Sequence, residues 1–151
     1  MVERFIHSHG IRSRLPPVVG GYCEVDYFSL PNWLQPYLDD ALASIWIGNA
    51  TRIAAHNDFP RNLACCAVGR RRFTLFPPDQ FANLYLGPID ITPAGRPVSM
   101  VNFETPDFAR HPQFCEALQH GVLAELEPGD ALLIPPLWYH HVDALAPFNV
   151  L

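Results

Sequence analysis

The sequence predicts a mainly β domain closed as a sandwich or barrel, and three observations carry that expectation. From Ala43 onward, short apolar runs alternate with turn residues at close spacing. The 151 residues include 16 prolines and 9 glycines, which argues against a helical bundle because proline breaks a helix interior. Apolar residues make up 49% and charged residues 17%, so the chain can build a core and does not have the composition of a disordered segment. Its length suits one domain.

In chain order, residues 1–42 read as an irregular N-terminal arm. Pro16-Pro17 and Gly20-Gly21 punctuate it, and a short helix is expected over 32–38. The β domain then spans 43–151. Strands are expected at 44–48, 52–56, 63–68, 72–76, 98–102, 122–126, 131–134 and 140–145. Pro77-Pro78-Asp79-Gln80 ends one strand and suits a helical turn, while Glu127-Pro128-Gly129-Asp130 is a tight turn between two others. The spacing of Phe108, Phe114 and Leu118 predicts a helix over 106–119. The chain closes on Phe148-Asn149-Val150-Leu151, an apolar β-forming run that reads as the start of a strand. The domain is therefore expected to continue past Leu151, with its last strand outside this chain.

Charge narrows the function classes. Fifteen acidic residues against ten basic ones give a formal charge of −5, so no nucleic-acid partner is expected. Every basic residue is arginine. Without lysine, Schiff-base, Walker-A and kinase-type chemistry are excluded. No apolar run approaches the roughly 20 residues of a membrane helix, so no membrane partner is expected. The first 14 residues lack the apolar stretch of a signal peptide. Cys23, Cys65, Cys66 and Cys115 show no C-x-x-C spacing and read as buried free thiols of a reducing compartment, which favours a cytoplasmic location.

Two short stretches carry chemistry. In His56-Asn57-Asp58, residues two apart on a strand share a face, so an imidazole and a carboxylate can reach one metal from a strand end. In Trp138-Tyr139-His140-His141-Val142, the adjacent histidines point to opposite faces. If Val142 faces inward, so does His140, and His141 faces out or supports the shell. Two histidines and one carboxylate make the facial triad that holds non-haem Fe(II) and leaves positions open for a cosubstrate and O₂. Among Arg70, Arg71 and Arg72, alternation sets Arg71 on one face and its neighbours on the other.

Several motifs agree in order: Trp46-Ile47-Gly48, His56-x-Asp58, Asn62-Leu63, Gly69-Arg70-Arg71-Arg72-Phe73, Leu75-Phe76-Pro77-Pro78, Pro128-Gly129-Asp130-Ala131-Leu132-x-Ile134-Pro135 and Trp138-x-His140-His141-Val142. Together they resemble the cupin-like branch of the JmjC oxygenases, over residues 43–151. The resemblance implies a double-stranded β-helix, the jelly roll of cupin and JmjC domains, with Fe(II) and 2-oxoglutarate as cofactors. It implies His56, Asp58 and His140 as metal ligands. Arg71 would pair with the far carboxylate of 2-oxoglutarate, where relatives use another basic residue, and a guanidinium suits that task through two parallel hydrogen bonds. Asn62 matches a position that orients the cosubstrate. Trp46, Trp138 and Tyr139 would form the pocket wall. The chain departs from the pattern at Asn57, where relatives carry an aromatic, and at Ile53, where some place a threonine. The implied activity is a dioxygenase hydroxylating a protein or peptide side chain or a small molecule, with a homodimer built through helices outside this chain. The competing reading is a non-oxygenase metal-binding cupin that holds a small molecule.

Overall fold

The computed structural model describes residues 3–5, 44–89, 92 and 95–151. The helix expected over 32–38 and most of the expected arm lie outside the described residues. Within the arm, Glu3–Phe5 forms a strand, β1. The strands that follow are β2 (Ile47–Gly48), β3 (Arg52–Asn57), β4 (Asn62–Cys65), β5 (Arg71–Phe76), β6 (Val122–Leu126), β7 (Ala131–Ile134), β8 (Tyr139–Ala144) and β9 (Asn149–Val150). Among the described residues one α-helix, α1, covers Phe114–His120.

The chain passes back and forth between two antiparallel sheets. One has the order β3-β8-β5-β6 and the other β1-β7-β4, with β2 and β9 pairing as a short third ladder. The turn at residues 127–130 shows how the chain crosses. Gly129 takes a left-handed φ of 97°, and the Asp130 carboxylate accepts the Glu127 amide at 2.9 Å. These local bonds reverse the chain so that β6 ends in one sheet and β7 begins in the other. Sheets that exchange consecutive strands in this way, with β3 and β8 as neighbours, make the jelly-roll architecture of cupin domains.

Alternation decides what lies between the sheets. Phe73, Leu75, Ala124, Leu126 and Val142 from one sheet meet Ala64, Leu132 and Ile134 from the other in one buried cluster. The opposite face of the four-stranded sheet carries Phe76 and Tyr139. The excursion between β5 and β6 covers them with Leu84, Val101, Phe114 and Ala117. The four-stranded sheet is thus buried on both faces, which explains why β8 is almost continuously buried.

Several expectations change on inspection of the fold. The strand expected at 98–102 is reduced to a single bridge between Leu86 and Ser99, because Tyr85, opposite Met100, takes a left-handed φ of 51° that an extended strand cannot continue through. The helix expected over 106–119 is confined to Phe114–His120. Pro112 has no amide hydrogen and disfavours helical backbone at His111, and Asp107 caps a separate turn by accepting the Ala109 and Arg110 amides. The helical turn expected after Pro77 is present as a 3-10 helix, Pro78–Gln80. The closing run does begin a strand, β9, which pairs with β2. The three cysteines described are free, but only Cys66 is buried; Cys65 and Cys115 are exposed.

Candidate metal centre

The site begins with an irregularity in β3. Ile53 pairs with Val142, but the next pair is His56 with His140. Ala54 and Ala55 therefore stand against His141 alone, which is a β-bulge. Ile53 faces the inner cluster. Strict alternation from Ile53 would send His56 outward with Arg52. The extra residue reverses that parity and sets His56 beside His140, ring centroids 4.4 Å apart. Ala55 is fully buried, and its carbonyl accepts the Ser99 amide at 2.7 Å.

His56, Asp58 and His140 each offer a ligand atom, all within 4.8 Å of one another. Both imidazoles are oriented from behind. The Nδ1 of His56 lies 2.9 Å from the Ala54 carbonyl, and that of His140 lies 3.2 Å from the Trp138 carbonyl. A carbonyl only accepts, so Nδ1 carries the hydrogen and Nε2 keeps its lone pair for a metal. His140 Nε2 is accordingly the nitrogen facing Asp58 Oδ2, at 3.7 Å. Burial, and then the neighbouring His56, push the His140 pKa down to about 4. The imidazole is neutral near pH 7, as a ligand must be. Asp58 is fixed on two sides: its carboxylate accepts Asn62 Nδ2 at 2.6 Å, and its carbonyl accepts the Leu137 amide at 2.9 Å. Two imidazole nitrogens and one carboxylate oxygen, clustered at an inner wall, fit a non-haem Fe(II) site.

Arg71 shares the inward face of β5 with Phe73 and Leu75 and is only 4% exposed. Its Nη2 reaches the Trp46 carbonyl at a long 3.5 Å, and its Nε has no hydrogen-bond partner. Burial lowers its pKa, since a desolvated guanidinium with no carboxylate beside it among the described residues holds its charge at a cost. An unsatisfied buried cation fits the far carboxylate of a diacid such as 2-oxoglutarate. Arg70 and Arg72 face outward and share Glu125, at 3.1 and 2.7 Å.

Asn62 reaches the triad through Asp58. Trp138 packs against the inner cluster. The Trp46 side chain is 61% exposed, and only its backbone turns toward Arg71. Tyr139 lies in the outer cluster, on the sheet face opposite His140. His141 is buried rather than solvent-facing. It stacks on Phe103 with centroids 4.2 Å apart and reaches Asp143 at 3.3 Å. Phe103 and the bulge at Ala54 and Ala55 escaped the sequence reading. Phe103 sits in a stretch without periodicity, and no residue type announces the bulge.

With this geometry in place, comparison with known proteins defines the class. A profile described as "Cupin-like domain" matches residues 7–151. The chain belongs to the cupin-like JmjC domain family. It is 34% identical over 110 residues to HSPB1-associated protein 1 of Homo sapiens, which covers 72% of this chain and 22% of that protein. It is 34% identical over 107 residues to lysine-specific demethylase JMJ31 of Arabidopsis thaliana, covering 69% of this chain and 19% of that protein. It is 28% identical over 120 residues to tRNA wybutosine-synthesizing protein 5 of Danio rerio, covering 78% and 33%. The chain thus spans between 19% and 33% of the length of these curated relatives.

Proposed function

We propose that this chain is the catalytic domain of an Fe(II)- and 2-oxoglutarate-dependent oxygenase that hydroxylates a protein or peptide side chain or a small molecule. The observation that carries the reading is the buried Arg71, with its Nε unpartnered, on the inner wall of the sheet whose strands β3 and β8 bear His56 and His140. A metal centre alone would not call for a desolvated cation; a chelating diacid would. The names of two relatives, a lysine-specific demethylase and a tRNA wybutosine-synthesizing protein, add support for an enzyme.

In this reading His56, Asp58 and His140 would hold the metal, three protein ligands being the set that suits Fe(II) with a cosubstrate. Arg71 pairs with the far carboxylate and fixes which end of the cosubstrate meets the metal. When bound, the metal and cosubstrate would supply the redox chemistry, with 2-oxoglutarate as the reductant of O₂: one oxygen atom would end in succinate, formed with loss of CO₂, and the other in the hydroxyl of the product. The backbone carbonyls of Ala54 and Trp138 keep both Nε2 atoms aimed at the site throughout.

Anaerobic titration with Fe(II) and then 2-oxoglutarate tests this directly. A weak visible charge-transfer band is expected in the wild type and in His141→Ala, and none in His140→Ala. A folded chain that binds iron without developing the band would remove 2-oxoglutarate from the assignment and leave a metal-binding cupin that holds a different small molecule.

A further inference from the structure

Each of the three ligands is steadied by a second contact, and the one on Asp58 differs in kind. The two imidazoles rest on backbone carbonyls two residues away on their own segments. Asp58 rests on a side chain from the facing sheet. Asn62 opens β4, where it pairs in register with Ile134, and its Nδ2 donates to Asp58 Oδ2 at 2.6 Å. Oδ2 is also the oxygen 3.7 Å from His140 Nε2. The atom that faces the other donors is therefore the atom that Asn62 holds. A carboxylate just beyond a strand end, as Asp58 is, can rotate its oxygens away from the site at little cost. The amide removes that freedom and occupies one lone pair of Oδ2, leaving another for a metal.

We propose that Asn62 is a positioning residue of the metal centre: it holds the Asp58 carboxylate toward the two imidazoles before any cosubstrate binds. The inference rests on reading the triad as a metal centre. It differs from the cosubstrate-orienting role expected for Asn62, which has no effect until 2-oxoglutarate is present. Asn62 thereby couples the triad on the β3 and β8 side to the facing sheet, through a single side-chain hydrogen bond.

The test is Mn(II) binding to the full chain without 2-oxoglutarate, read from the EPR signal of the free ion. The Fe(II) and 2-oxoglutarate band is titrated in parallel. Asn62→Leu is expected to weaken Mn(II) binding roughly 10-fold or more, the usual scale for losing a contact behind a metal ligand. Asn62→Ala serves as the second variant should the leucine disturb folding. Asn62→Gln, which keeps the amide, is expected to recover part of the loss. Wild-type Mn(II) affinity in either folded apolar variant overturns the proposal, including the case where only the 2-oxoglutarate band weakens. A wild type that binds Mn(II) but never forms the band defeats the oxygenase reading instead, and the Mn(II) comparison among variants still decides the role of Asn62.

Discussion

Burial sets the ionisation of His140 and works against that of Arg71, and both effects are measurable. The His140 pKa lies near 4 in the folded chain, against about 6.5 when unfolded. The folded state therefore binds fewer protons than the unfolded state between these values, and stability falls as pH drops through that window. For the metal-free chain the loss is expected to reach up to about 3 kcal/mol by pH 4, with none of it present above pH 6.5. Urea unfolding of wild type and His140→Gln at pH 7 and pH 5 checks this, and equal slopes for the two proteins would count against it. Arg71 makes the opposite case. Its guanidinium is buried with Nε unpartnered, so Arg71→Met, which keeps the apolar stem, is expected to stabilise the metal-free fold by about 1 kcal/mol. The same variant is expected to abolish the 2-oxoglutarate band. A destabilised Arg71→Met would mean that the charge is already satisfied.

Strands β5 and β8 run regularly, and β3 does not. Along the regular strands the alternation read from sequence holds: Arg71 turns inward between outward Arg70 and Arg72, and His140 turns toward the site while His141 packs behind it. The same rule misplaces His56, because the bulge at Ala54 and Ala55 shifts the parity. Deleting Ala55 removes the bulge but leaves Ala54 against His141 and His56 still opposite His140, so Mn(II) binding is expected to change by less than about 10-fold while far-UV circular dichroism keeps its β signature. A loss of about 100-fold or more in that variant would show that the local shape of the bulge, and not the parity it sets, places His56. Helix and strand ends misjudged in the excursion between β5 and β6 have local causes as well. Pro112 and the Asp107 cap shorten a periodic segment, and the left-handed backbone of Tyr85 stops the pairing beside Ser99.

In the molecule as a whole, the triad joins β3, the connection after it, and β8, and Asn62 ties the same point to the second sheet. A metal at that point cross-links parts of the chain about 80 residues apart, and unfolding must release it. At a hundredfold excess over its Kd, a ligand that binds only the folded state adds about 2.7 kcal/mol. For a domain of this size that corresponds to a rise in Tm of roughly 5–10 °C. Thermal unfolding with Mn(II) and with EDTA measures it, and a His56→Ala, His140→Ala chain is expected to show no rise.

Residue types and their order were enough to predict a mainly β sandwich or barrel and to single out His56, Asp58 and His140, while the jelly roll and the task of Arg71 were implied by the family resemblance. Those features depend on period-two alternation, turn chemistry and motif order, which are properties of the linear chain. Other features depended on which segments meet: the β-bulge that turns His56 inward, the carbonyls that choose the histidine tautomers, Phe103 beneath His141, and the Asn62 bond to Asp58. A bulge is a mismatch between two strands and a hydrogen bond needs both partners in place, so neither exists until long-range pairing brings those segments together.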